Sequence, residues 1–360
     1  MNVLSLFDGM SCGQQALERN GIKVDNYFAS EIDNYAIKVT MANYPNTKQL
    51  GSVVGVDGYS LPNIDLLIGG SPCQSFSFAG RRKGMSTKDE QEIVTLDHYL
   101  ELKNEGFEFE GQSYLFWEYM RLLNECKPKY FILENVEMGE HWEKVLSKAI
   151  GVHGIHINSS LVSAQNRKRI YWTNIGLEPM GLFGFHESII EQPKDKGIIL
   201  KDILEDQVDE RFILSDKIIK GFEIHSDRHE KKGNNFGFNP KNELDKGNCL
   251  RANAAICPTD NMLIVKNTDK LINESIKNKK STTIDASYYK GFGVRSGKCR
   301  QVVESVNNSK IRRLTPIECE RLQTVKDDYT NHVSISQRYK MLGNGFTVDV
   351  ICHLLNYIKK

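Results

Sequence analysis

A cysteine follows a proline where an apolar run gives out: Ile64–Ile68 leads into "GGSPCQSFS", Gly69–Ser77. Buried structural cysteines sit among apolar neighbours and are inert, whereas loops at strand ends carry chemistry more often than packing. Cys73 in this position is a candidate nucleophile. A thiol nucleophile needs a route to the thiolate and a partner that activates its electrophile. Glu134, in "ILENV", also stands at the end of an apolar run and supplies that partner. An acid that hydrogen-bonds or protonates a heteroaromatic ring while sulfur attacks it suits addition to a pyrimidine. Attack at carbon 6 would make carbon 5 nucleophilic, able to take a methyl group. Singly, each residue is more often structural; together with the loop glycines they favour a site.

Other residues extend the pattern. "QNRKRIYW" places Arg167 and Arg169 at alternating positions entering a strand, hence on one face. Two guanidiniums on one face suit a phosphate or an anionic ring oxygen; a cation-rich edge strand that resists aggregation has the same pattern. "FDGMSCG", between a strand and a helix, gives backbone freedom for close approach to a ligand but does not match GxGxxG, which disfavours a dinucleotide. Glu31 ends the next strand, where nucleoside-binding α/β domains place an acid for ribose hydroxyls; a carboxylate answering a helix dipole reads equally well. His225, His229, Cys249 and Cys257 fit no zinc spacing, so no metal is expected.

These residues need a frame, and the first 176 residues supply one by alternation. Val3–Phe7 is followed by the helix-like "QQALERN"; "NYFASEID" by "NYAIKVTMANY"; "IDLLIGG" by "SYLFWEYMRLLNE"; then come the strands "KYFILEN" and "IYWTNIG". Strands alternating with helices predict a doubly wound, mostly parallel α/β sheet, whose ligands bind at the carboxyl ends of the strands. Asp8–Gly13, Glu31, Ser71–Cys73 and Glu134–Val136 all fall at such ends. Residues 177–310 change character: they are Asn- and Lys-rich and irregular, with "KKGNNFGFNPKNELDKGN" reading as loop, and are taken as a second, smaller domain. Helices resume with "TPIECERLQTV", where Thr315 is the N-cap, Pro316 the first helical residue and Glu318 the capping-box acid. A last helix is expected over about Thr347–Ile358.

Bulk properties exclude some classes. The chain has 360 residues, 40% hydrophobic and 26% charged, with net charge +1. No apolar run approaches the roughly 18 residues of a membrane helix, and "MNVLSLFDGM" lacks a signal-peptide pattern. Eight scattered cysteines with no CxxC pair point to a reducing cytoplasm. Lys277–Arg313 holds ten Lys or Arg against Asp285 and Glu304, a phosphate footprint or a solvated face in equal measure.

Together the motifs resemble those of the DNA cytosine-5 methyltransferase family, in family order. "LFDGMSCG" is similar to its cofactor motif, "SEID" to its ribose acid, "GGSPCQSFSFAGRRKG" to its Pro-Cys nucleophile and following loop, and "ENV" to its catalytic Glu. "QNRKR", "RRLTPIECERLQ" and "GNGF" resemble its later motifs, so residues 1–176 and 311–360 correspond to the catalytic domain and 177–310 to the target recognition domain.

The resemblance implies S-adenosylmethionine as methyl donor and a flipped cytosine in a specific duplex DNA sequence as acceptor. Cys73 would attack carbon 6, with Pro72 fixing the loop; Glu134 would hold N3 and the amino group; Arg167 and Arg169 would hold the carbonyl and a phosphate. Phe7, Asp8, Gly9, Ser11, Gly13, Glu31, Ile32, Ser52, Val53, Pro72 and Asn344 would hold the cofactor. Ser75, Ser77, Arg81, Arg82 and Lys83 would close over the nucleotide, and Thr283, Lys290 and Arg295, around "STTIDASYYKGFG", would meet DNA, which gives the basic stripe a partner. The family's Asp for the adenine amino group is replaced by Ser52 of "LGSV", with Asp57 nearby as a substitute. A long acidic insertion, residues 85–112, either extends the active-site loop or packs beside it. The scale resembles bacterial or phage enzymes; a cognate restriction endonuclease as partner, a solitary mark and phage self-protection share this chemistry, and a monomer suffices for the reaction. The alternative within the family is the branch acting on transfer RNA, whose recognition region is more compact.

Overall fold

The computed structural model describes residues 1–72, 92–107, 109, 112–180, 185–233, 237–252, 256–266 and 309–358. Cys73, Ser75, Ser77, Arg81, Arg82, Lys83, Thr283, Lys290 and Arg295 lie outside these, with most of the basic stripe.

Seven strands form the central sheet: β1 (Asn2–Leu6), β2 (Asn26–Ser30), β3 (Lys48–Gln49), β4 (Leu66–Gly70), β5 (Tyr130–Val136), β6 (Ile155–Asn158) and β7 (Lys168–Thr173), in the order β3-β2-β1-β4-β5-β7-β6. The pairs from β3 through β5 are parallel, whereas β7 runs antiparallel to both β5 and β6. The first half is interleaved with α1 (Cys12–Arg19), α2 (Asn34–Asn43), α3 (Leu96–Asn104), α4 (Leu115–Cys126) and α5 (Glu140–Ile150).

Strand sequences explain the layering. Successive residues face opposite sides of a sheet. Val3, Leu66, Ile68, Ile132 and Tyr171 enter one core with Ala16, Leu17 and Val39 of α1 and α2. Leu4, Leu67, Phe131, Leu133, Ile170 and Trp172 enter the other with Phe116, Trp117, Trp142 and Leu146 of α4 and α5. A sheet buried on both faces needs apolar residues at consecutive positions, and that is why these strands read as continuous apolar runs.

The described part of the insertion, with α3, packs against α4. Tyr99 and Lys103 of α3 donate to the fully buried Glu118 of α4, each at 2.5 Å, and Arg121 pairs with the same carboxylate at 2.6 Å.

The middle segment is less irregular than its composition predicts. It contains a hairpin of β8 (Leu177–Met180) and β9 (Phe185–Ser188), a fifteen-residue helix α6 (Asp216–Glu230), and β10 (Met262–Lys266), which pairs antiparallel with β11 (Ser309–Arg313). Helix α6 buries no residue fully and turns only a half-buried face inward, Ile219, Phe222, Ser226 and His229. Ile190, Leu200, Ile203, Phe212 and Leu263 join the same core as β1 and α1.

The chain then returns to the sheet through α7 (Pro316–Leu322), α8 (Ile335–Asn344) and α9 (Val348–Leu355). Helix α7 has the expected capping box: Thr315 accepts from Glu318 N and Glu318 accepts from Thr315 N. Helix α9 docks on α1, where Arg19 pairs with Asp349 at 2.9 Å and Asn20 donates to the Cys352 carbonyl.

Candidate active site

The loop after β1 is wound tightly: Phe7, Gly9 and Ser11 all have positive φ, 56°, 58° and 59°. That region is costly for a bulky residue such as Phe7 and tends to occur where a loop is held for function. The holding groups are identifiable. Asp8 donates its N–H to Ser30 O, and its carboxylate accepts from the Tyr27 hydroxyl at 2.8 Å and from the Ser11 hydroxyl. Burial drives the Asp8 acid up to about 6, although Ser11, Ser5 and Tyr27 hydrogen bonds oppose it.

Glu31 ties this loop to the next strand end. Its Oε2 accepts from Gly9 N and its Oε1 from Ile32 N and Asp33 N, all at 2.8 Å. A carboxylate has about four acceptor directions, so one on Oε2 is left for a ligand. Asp33 caps α2 by accepting from Tyr35 N.

At the end of β4, Ser71 is pinned by Asn135 Nδ2, 3.0 Å from its hydroxyl. Pro72 follows, so the chain leaves toward Cys73 from a fixed point. Glu134 lies beside it on β5 with 8% of its surface exposed, and its Oε1 is 2.9 Å from Arg169 Nε. Burial works against the Arg169 charge, and Glu134 and Cys249 more than restore it, so its pKa is raised.

The two arginines differ. Arg167 is 3% exposed and donates to Gly343 O (3.1 Å), Gly345 O (3.0 Å), Leu250 O and Cys249 Sγ. It ties strand β7 to the turn after α8, while Arg169 turns to Glu134.

These groups line one cleft of about 540 Å³. Of the expected residues it gathers Phe7, Asp8, Gly9, Glu31, Ile32, Ser52, Val53, Pro72, Glu134, Arg167, Arg169 and Asn344. Three expected residues stand outside its lining. Ser11 and Gly13 do not reach the cleft: Ser11 is fully buried against Asp8, and a Cβ on Gly13 would meet the Tyr27 hydroxyl at 2.9 Å. The Asp57 carboxylate accepts from Tyr59 N in the next turn and is not part of the cleft lining. Sequence reasoning assigned no role to Asn135, Cys249, Gln337, Lys340 or Phe346; Asn135 and Phe346 had a visible signal, as letters of "ENV" and "GNGF".

The cleft fits a nucleoside-sized cofactor by volume. It offers the free acceptor direction of Glu31 beside Ile32, an isoleucine 70% exposed at the rim. Among the described residues no group of three His, Cys, Asp or Glu could hold a metal ion, and no helix is long and apolar enough to cross a membrane.

The profile of C-5 cytosine-specific DNA methylases matches residues 1–99 and 101–360. The chain belongs to that family. The type II methyltransferase M1.ScrFI of Lactococcus lactis subsp. cremoris is 26% identical over 91% of this chain and 70% of its own. The orphan methyltransferase M.SPRI of Bacillus phage SPR is 28% identical over 98% of this chain and 95% of its own. In fold, the methylase resembles the S. pombe Dnmt2 methyltransferase, with a TM-score of 0.62 at 16% identity over the whole of both chains. A Spodoptera frugiperda DNMT2 variant gives 0.59 at 20% identity over 99% of this chain and 98% of that one. This is the Rossmann-like fold of S-adenosylmethionine-dependent methyltransferases. As a member of the family, the protein is a cytosine-5 DNA methyltransferase.

Proposed function

We propose that the cleft holds S-adenosylmethionine and a flipped cytosine side by side, and that Cys73 forms the covalent bond to the base. The observation that carries this reading is the Glu134–Arg169 pair at 2.9 Å, in the same cleft as Glu31 and next to the Ser71–Pro72 exit toward Cys73. Phe7–Gly9, Glu31, Ile32, Ser52, Val53 and Asn344 hold the cofactor, whose chemical contribution is an electrophilic methyl group.

The protein's residues handle the base. Carbons 5 and 6 are hidden in a stacked duplex, so the nucleotide must leave the stack. Glu134 binds its N3 and amino group, with Arg169 fixing the carboxylate and reaching toward the carbonyl oxygen. The Cys73 thiolate adds to carbon 6, a sulfur–carbon bond forms, and the C5=C6 electron pair becomes available at carbon 5. Once carbon 5 carries the methyl group, loss of its proton restores the double bond and expels the thiolate. Arg167 acts from behind, as the tie between β7 and the turn that carries Asn344. Residues 177–310 form the recognition region, and its lysines and arginines from Lys277 to Arg300 meet backbone phosphate.

The test is transfer of labelled methyl from S-adenosylmethionine to unmethylated duplex DNA, beside transfer RNA, for the wild type and Cys73→Ser, followed by bisulfite sequencing. Label in DNA, at fixed sequences, that vanishes in Cys73→Ser is expected. Label confined to RNA, or undiminished in Cys73→Ser, would overturn the reading.

A further inference from the structure

The segment Gly247–Arg251 lies far from every motif that carries the chemistry, yet it is built into the back of the site. Gly247 bridges Gln165 in strand-like fashion: Asn166 N donates to Gly247 O at 2.8 Å, and Gly247 N donates to Ala164 O at 2.6 Å. Leu250 N donates to the Gln165 side chain. On its other side the segment is pressed against α8, where a Cβ on Gly343 would stand 2.2 Å from the carbonyl carbon of Arg251. Between these contacts, Cys249 Sγ lies 3.3 Å from Arg167 Nη1 and 3.7 Å from Arg169 Nη2.

We propose that Cys249 is a positioning residue for methyl transfer: its sulfur bridges the two arginines and holds Arg169 in the orientation that fixes Glu134. The inference rests on the reading that Glu134 grips the cytosine.

Geometry supports it. Arg169 Nε is on Glu134 at 2.9 Å, and its Nη1 is turned back to the Lys168 carbonyl at 2.8 Å. Its Nη2 has Cys249 as its acceptor, so the sulfur completes a three-point grip on the guanidinium. A thiol can accept from both arginines through its lone pairs and give its own proton to the Leu250 carbonyl, 3.5 Å away. Burial raises the Cys249 thiol, and Arg167 and Arg169 more than reverse this, leaving it below its ordinary value. The grip also joins the middle segment to the catalytic carboxylate, so a change in the segment's seating on α8 is felt at Glu134.

The test compares the full-length Cys249→Ala, Cys249→Ser and Glu134→Gln proteins on mixed-sequence unmethylated duplex DNA, measuring kcat, KM for DNA and the cofactor dissociation constant. Misorienting a catalytic group by a fraction of an ångström costs rate, not cofactor affinity, so Cys249→Ala should lower kcat roughly ten- to a hundredfold with cofactor binding unchanged. Cys249→Ser, which keeps a donor and two acceptors, should restore most of that rate. A kcat for Cys249→Ala within about twofold of wild type, or equal losses in Ala and Ser, overturns the inference. If Cys249→Ala does not fold, the isosteric pair Cys249→Val and Cys249→Thr decides: a slow Val and a fast Thr support the bridge, equal rates remove it. An inactive Glu134→Gln beside an unimpaired Cys249→Ala removes this inference alone, whereas a fully active Glu134→Gln removes the role of Glu134 and the inference with it.

Discussion

Gly70 and Glu134 are register partners at the carboxyl ends of adjacent parallel strands, and a Cβ on Gly70 would stand 3.1 Å from Glu134 Oε2 and 2.9 Å from the ring of Phe346. The second glycine of "GGSPC" therefore leaves the room in which the carboxylate and the "GNGF" phenylalanine meet. Gly70→Ala must displace one of them. Overpacking of this kind costs about 1–3 kcal/mol of stability. The expected result is a lowered melting temperature and, if Glu134 grips the base as proposed, a fall in kcat of roughly tenfold. Unchanged kinetics would mean that the carboxylate is free to relocate without consequence.

Asp8 gives the fold a pH dependence of unusual sign for a carboxyl group. Its acid is raised from 3.8 to about 6, chiefly by burial, with Ser11, Ser5 and Tyr27 opposing and Glu31 adding to the rise. The folded state therefore holds the proton more tightly than the unfolded chain. The stability this contributes is fully present below 3.8 and is lost as pH rises through about 6, on the order of 3 kcal/mol. Asp8→Asn keeps the side chain's shape and cannot ionise. Its melting temperature should gain on that of the wild type as pH rises between about 4 and 7. Parallel melting curves across that window would contradict the assignment.

Ser52 lines the cleft with a hydroxyl that makes no capping bond to its own turn. Where a cofactor amino group is to be held, a carboxylate accepts more strongly than a hydroxyl, by about 1 kcal/mol. Ser52→Asp should tighten S-adenosylmethionine binding by roughly fivefold, measured by calorimetry. Weaker binding would show that no donor of the cofactor faces this position.

Glu318 has no exposed surface and is held by Arg312 through two 2.7 Å bonds, while it also accepts from Thr315 N at 2.8 Å. Removing one member of such a pair strands the other charge. Arg312→Met should cost about 3–5 kcal/mol in urea denaturation, far more than an exposed pair would. A loss below about 1 kcal/mol, the scale of an exposed pair, would contradict this role for the Arg312–Glu318 pair.

The catalytic frame was legible because its strands are buried on both faces: "VLSL", "LLIGG" and "FILEN" can hardly be anything else, and the motifs sit where those runs end. Thr315, Pro316 and Glu318 likewise marked a helix start by local hydrogen-bond chemistry alone. The direction of β7 was not legible, since periodicity is the same whichever way a strand runs. β6, only "IHIN", has one fully buried residue and leaves too short a trace. Helix α6 was hidden for the opposite reason, as a polar helix resembles loop in composition. Within the site, Phe7–Gly9, Glu31, Pro72 and Glu134 announced themselves at strand ends. Cys249 and Lys340 did not, because their importance lies in what a distant segment brings against them: two arginines for Cys249, and Asp33 at 2.7 Å for Lys340.

Arg167 binds the carbonyls of Gly343 and Gly345, 176 and 178 positions further along the chain. A ribosome adding about 5–20 residues per second needs roughly 10–35 s to cover that interval. Throughout it, the nascent polypeptide already contains Glu31, Cys73 and Glu134 but lacks the acceptors that anchor β7. The anchor of β7 in this methyltransferase is thus completed only when its synthesis has reached the closing helices.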